Sequence, residues 1–159
     1  MKLRSRILQA SACVFRMDIT ADYEDQLHTF SMDCRMDSQG SVTFTVLKPD
    51  TIAGITGMLS GDGGGLTFED TVLHFPMLAD GRLSPVSAPW ILMKTLRGGN
   101  MIAACEEEGG ILLSIDDSYE EDPLRLDIRL NGAEIPETAD ILYDGRRILS
   151  VAVENFEIL

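Results

Sequence analysis

Apolar and polar residues alternate along most of this chain with a period of two, the signature of strands that bury one face. Cys13, Phe15, Met17 and Ile19 share one face, and Arg16, Asp18 and Thr20 the other. Asp22-Tyr23-Glu24-Asp25 turns the chain, and Phe30, Met32, Cys34 and Met36 then alternate with Thr29, Ser31, Asp33 and Arg35. With Asp22 opposite Asp25, the hairpin pairs Met17 with Phe30, Phe15 with Met32 and Cys13 with Cys34, and the two apolar faces coincide. Val42, Phe44 and Val46 continue the meander after the Ser38-Gln39-Gly40 turn, and Pro49 ends that strand. A further strand is expected over Ile52 to Leu59, where Gly54 and Gly57 permit curvature or close packing. Gly61 to Gly65 turns into Leu66-Thr67-Phe68, and Thr71 to Leu78 follows, with an irregular end at Pro76.

One stretch reads differently. From Ser84 to Gly99 the apolar residues Val86, Trp90, Ile91, Leu92, Met93 and Leu96 make a broad helical face. Ser84 or Ser87 is suited to cap its start, Pro85 and Pro89 are tolerated in a first turn, Lys94 and Arg97 suit the negative end of the dipole, and Gly98-Gly99 stops it. Strands return over Met101 to Glu106, Ile111 to Asp116 and Leu124 to Leu130, and finally on either side of the Asp144-Gly145 hairpin signal.

About ten strands at ~4.8 Å would span ~48 Å if flat, whereas one helix covers a stripe ~10–12 Å wide. A flat sheet would leave its apolar face wet. The pattern therefore predicts a mainly β (α+β) fold, one domain over 1–159, in which a curved antiparallel sheet forms an unclosed β-barrel with a helix at about Pro85–Arg97 on its concave face. Phe15, Met17, Phe30, Met32, Phe44, Trp90, Met93 and Leu96 would line that concavity, with Met36 and also Met58 and Met77 as further thioethers able to adapt to an apolar ligand.

Charge narrows the partners. The chain has 13 Lys+Arg against 26 Asp+Glu, a formal net charge of −13, which repels phosphate backbones, so nucleic acid is not expected as a partner. No run of ~18 apolar residues provides a transmembrane segment. The basic start, Met1 to Arg6, followed by Ile7 to Cys13 superficially resembles a lipoprotein signal but lacks an h-region of ~7 or more apolar residues.

Catalytic chemistry is not legible. His28 and His74 stand alone, and the glycine run lacks the Lys-Ser/Thr of a phosphate loop. Cys13, Cys34 and Cys105 fit no zinc spacing and read as small buried hydrophobes, two neighbouring core thiols being a simpler reading of Cys13 and Cys34 than a disulfide. The acidic run Asp116 to Asp122 lacks the spacing of a calcium loop and reads as solvated. No cofactor, metal or catalytic residue is expected.

In the segments Val42 to Pro49, Leu66 to Asp70 and Ile148 to Val151, and in the order of its elements, the chain resembles the LolA/LolB-like superfamily of lipoprotein carriers and cell-envelope lipoproteins, more specifically LolA-like lipoproteins of clostridial bacteria. The resemblance implies an unclosed barrel whose concave apolar face, lidded by helices, receives acyl chains. It further implies an extracytoplasmic protein, lipid-anchored in a precursor whose signal is absent from this sequence. Two departures stand out. Only Met1 to Leu8 precedes the first strand where the carriers begin with a longer amphipathic helix, and Arg16 and Arg35 fall on the polar face, so neither takes the role of the arginine inside the Gram-negative barrels. The expected function is non-enzymatic binding of a lipid or lipoprotein acyl chain. The alternative is an interaction module with a solid core, meeting a protein partner through its acidic surface or a dimer interface.

Overall fold

Alternation becomes strand almost everywhere it occurs. The computed structural model describes residues 1–23, 26–61, 63–68, 71–75, 78–79, 82–117 and 123–159. A short helix, α1 (Lys2–Gln9), precedes β1 (Ala12–Tyr23), β2 (Gln26–Asp37), β3 (Val42–Lys48), β4 (Thr56–Ser60), β5 (Gly63–Phe68) and β6 (Thr71–Phe75). Two-residue strands β7 (Leu78–Ala79) and β8 (Arg82–Leu83) lead to a 3-10 turn at Pro85–Ser87 and to α2 (Ala88–Gly98). Then come β9 (Asn100–Glu107), β10 (Gly110–Asp116), β11 (Leu124–Asn131), β12 (Pro136–Tyr143) and β13 (Arg146–Ile158).

Eleven strands make one antiparallel sheet in the order β6-β5-β4-β3-β2-β1-β13-β12-β11-β10-β9. It consists of two simple meanders joined by β1 against β13, where Cys13 faces Ile158 and Ala21 faces Leu149. The strands β6 and β9 are its edges and do not pair with each other, so the barrel is unclosed. Five ladders carry a register shift, and such bulges bend and twist a sheet around what it encloses.

The inner face is apolar across the strands between the two edges. Cys13, Phe15, Met17, Ile19 and Ala21 of β1 join Met32, Cys34 and Met36 of β2, Val42, Phe44 and Val46 of β3, and Leu124, Leu126, Ile128 and Leu130 of β11 in one buried cluster. The outer face is polar, and directly opposed serine–aspartate pairs recur along it. Ser31 donates to Asp18, Ser114 to Asp127 and Ser150 to Asp140, each across one ladder. Arg16 pairs with the facing Asp33 at 2.9 Å. These exposed pairs fix register more than they add stability.

Three sequence expectations change. The first hairpin closes further along, with Asp22 facing Leu27, Met17 facing Met32, Phe15 facing Cys34 and Ile19 facing Phe30. A slip of two residues keeps every side chain on its expected face, which is why the pattern could not reveal it. Cys13 therefore faces Met36, and both Cys13 and Cys34 are free thiols. The stretch from Ile52 is a turn, not strand: Gly54 has φ +91°, its N–H donates to Val46 O at 2.8 Å, and β4 starts only at Thr56. Met58 consequently points outward, 56% exposed, while Met77 lies outside the described residues.

Gly57 does pack closely. A Cβ at this position would stand 2.3 Å from the Phe44 ring and 2.9 Å from the Gly65 carbonyl oxygen. Gly57→Ala should cost about 1–3 kcal/mol of stability through overpacking, read as a lower urea midpoint with an unchanged slope.

Candidate functional site

The candidate site is the concavity and the helix that fills it. The inward face of α2 consists of Ile91, Leu92, Met93 and Leu96, each 2% exposed or less. Trp90, expected at the centre of that face, is only half-buried at its margin, with the Lys94 ammonium 5.4 Å from its ring centroid. The start of the helix also differs from expectation, since neither Ser84 nor Ser87 makes a side-chain cap. Ser87 N–H donates to Ser84 O at 2.9 Å as the chain enters through a 3-10 turn, and Ser87 Oγ is buried without a hydrogen-bond partner.

The other end of α2 is tethered by polar groups from three parts of the chain. Arg4 of α1 donates to Leu96 O and Gly99 O, each at 2.7 Å, and to Thr95 O at 3.3 Å. One guanidinium thus satisfies the Leu96 and Gly99 carbonyls and adds a second donor to Thr95 O, which also accepts from Gly99 N–H, all at the negative end of the dipole. Lys94 and Thr95 both donate to Asp117, at 2.9 and 3.1 Å, and Arg97 donates to Ser38 O at 3.3 Å in the β2–β3 turn. Gly99 stops the helix by space, not by a left-handed turn: its φ is −64°, and a Cβ there would lie 2.5 Å from Ile115 Cγ2. Leu3 and Ile7 of α1 join the same core.

Of the residues expected to line the concavity, Phe15, Met17, Met32, Phe44, Met93 and Leu96 lie together in the buried cluster. Met17, Met32, Met93 and Leu96 have 0% exposure, so no water-sized space touches them. Phe30 and Trp90 are packed against the cluster but partly open to solvent.

The surrounding chemistry is quiet. Burial pushes the Cys34 thiol far above its ordinary range, and the Asp33 charge adds to the effect. Burial raises Cys13 as well, offset in part by Arg97. Both are protonated, unreactive thiols. Cys105, expected in the core, is exposed on β9, an edge strand of which every residue is exposed. His28 is stacked on Phe30 with centroids 6.4 Å apart, and the side chain of His74 lies outside the description. Among the described residues, no group of three His, Cys, Asp or Glu side chains converges to hold a metal. Asp117, from the acidic run, is a tether of α2, and the rest of that run from 118 to 122 is not described. No helix of the described residues is long and apolar enough to cross a membrane.

No protein-family model matches the sequence, and no curated protein matches it. Solved structures match over nearly the whole chain. A LolA superfamily protein from Nitrosomonas europaea aligns with a TM-score of 0.50 at 6% identity, covering 99% of this chain and 92% of the other. A domain from Vibrio parahaemolyticus named for outer-membrane lipoprotein sorting gives 0.53 at 8%, covering 99% and 89%. A chain from the complex of the CwlD amidase with the GerS lipoprotein of Clostridioides difficile gives 0.52 at 14%, covering 99% and 92%. At such identities the likeness is one of fold: the chain has the LolA-like architecture of a half-barrel around a helix.

Two measurements check the site. Thiol titration of the native protein should find one readily reactive cysteine, Cys105, and all three once it is unfolded. Arg4→Ala should lower stability by about 2 kcal/mol, and Arg4→Lys should recover only part of it, since an ammonium does not span three carbonyls as a guanidinium does.

Proposed function

We propose that this is a non-enzymatic, extracytoplasmic cell-envelope protein of the clostridial LolA-like kind, lipid-anchored in its precursor, that takes a lipid or lipoprotein acyl chain into its half-barrel. The observation that carries the proposal is the cover of the apolar inner face: two short helices, the only other sheet among the described residues being the ribbon of two-residue strands β7 and β8. A helix can withdraw from a sheet without breaking any ladder. The tethers of α2 are carbonyls and charged groups that water can satisfy once they part, whereas everything beneath is apolar.

Entry requires such a movement, because Met17, Met32, Met93 and Leu96 leave no open space. An acyl chain would take the place of the inward face of α2, between Phe15, Met17, Phe30, Met32 and Phe44 on the sheet and Trp90, Met93 and Leu96 on the displaced helix. Met17, Met32, Met36 and Met93 are the side chains best able to repack around a ligand of variable length. The same closed packing favours a second reading, an interaction module that keeps a solid core and meets a protein through its acidic surface. A chain with this fold from a complex between an amidase and a lipoprotein supports that alternative.

Native mass spectrometry of the freshly purified protein, with organic extraction, separates the two readings. A heterogeneous mass excess that extracts as fatty acid or phospholipid supports the carrier-like function, and a single apo mass supports the solid core. Trp90→Glu should abolish uptake of an apolar dye while the β-type circular dichroism persists. Adding dispersed phospholipid should accelerate labelling of Cys34, which faces the interior, and leave Cys105 unchanged; an unaltered Cys34 rate would sink the opening step.

A further inference from the structure

The edge strand β9 is unlike the rest of the sheet. All eight of its residues are exposed, whereas its partner β10 is half-buried or buried along its length. Ile102 is 53% and Met101 37% exposed, and from Met101 to Cys105 the strand carries no charge and no proline. One flank pairs with β10 from Asn100 to Glu107, and no strand among the described residues pairs with the other. Edge strands are ordinarily guarded along their length by lysine, proline or inward charges, because a bare row of N–H and C=O groups pairs with any suitable strand. Here the charges gather at one end, Glu106-Glu107-Glu108. Glu107 is also turned toward Arg129 of its own chain, at 3.5 Å.

We propose that the outer flank of β9 is the interface of a homodimer in which two copies pair edge to edge, antiparallel, about a two-fold axis at Ala103 or Ala104. The charge pattern selects this occupant and this direction. About Ala103, Glu106 falls opposite Asn100 and Glu107 opposite Gly99; about Ala104, they fall opposite Ile102 and Met101. In either register each acidic end meets an uncharged stretch. Parallel pairing would stack the three carboxylates of both copies against each other, which is destabilising. A two-fold arrangement also makes the contact isologous and closed, so association stops at two. It covers Ile102, Met101 and Cys105, and the half-buried Ile111 and Leu112 on the neighbouring strand.

The bulge between Ser114 and Ile115 of β10, opposite Met101 to Ala103, twists one end of the strand, so the regular ladder from Ala103 to Glu107 is the part that seats first. A single strand edge is small beside the ~1,600 Å² of a standard interface. Two net charges of −13 also repel. The dimer is therefore weak, and added salt strengthens it by screening that repulsion. None of this depends on whether the interior takes a ligand.

The test is sedimentation velocity on the full chain from low micromolar to near-millimolar concentration, at low and high salt, with crosslinking by a short bismaleimide. Cys105 is the exposed thiol on the strand, while Cys13 and Cys34 are buried. The expected result is a mass rising from 17.5 kDa toward twice that value, more readily at high salt, with a covalent dimer that disappears in Cys105→Ser. Ile102→Glu and Ala104→Glu, both at exposed positions, should each raise the dissociation constant at least about tenfold, because the new carboxylate stands opposite or diagonal to another carboxylate or to its own copy in the pairing row. Their circular dichroism must match that of the parent protein. A monomer at every concentration and salt would overturn the proposal, and so would a dimer that both glutamate variants leave intact.

Discussion

Everything in this structure depends on keeping one apolar sheet face dry with very little material. Eleven strands present a continuous inner surface, and the helices available to cover it have eight and eleven residues. Helical cover of that size cannot reach across a flat sheet, so the sheet must curl until its own strands shield one another. The five register shifts supply the bending, and the exposed row at β9 marks where that shielding ends.

Coverage of this kind divides the molecule into a part that cannot move and a part that can. The sheet is knitted by ladders and by the outer serine–aspartate pairs, while α2 is held by apolar packing below and by Arg4, Asp117 and Ser38 at its rim. The proposed opening would part α2 from the sheet and leave every ladder intact. Cys13 and Cys34, protonated in the core beneath, are indicators of its position.

Sequence reasoning reached the architecture because it depends on periodicity, and periodicity is local. Phe15 and Met17 had to face inward whatever the register, since alternation specifies a face, and a slip of two residues conserves it. The Asp144-Gly145 turn was equally legible, both residues adopting the positive φ its hairpin needs. What sequence reasoning missed was long-range or competitive. Arg4 reads as one basic residue in a short amphipathic start, and nothing within 90 positions of it suggests that it completes the end of α2. Ile52 has the composition of a strand residue, but Gly54 and the chain reversal toward Val46 take precedence over propensity. Cys105 was assigned to the interior by residue type, and its position on an uncovered edge places it outside, whereas Trp90, assigned by its helical spacing, packs against the core from the helix margin and is partly open to solvent.

The seam between β1 and β13 has a consequence for how the molecule comes into being. Ser11 N–H meets Leu159 O at 2.8 Å and Leu159 N–H meets Ala12 O at 2.9 Å, so the start of β1 and the end of β13 are neighbours in the middle of the sheet. A ribosome delivers β1 well before β13. The early meander can zip from β1 to β6, yet the flank of β1 that will sit at the centre of the sheet stays bare until β13 has been made. Contacts of this sequence separation make folding slow, and an unpaired apolar strand is exposed to wrong partners while it waits. For this fold a strand made late completes the centre of a sheet begun long before it.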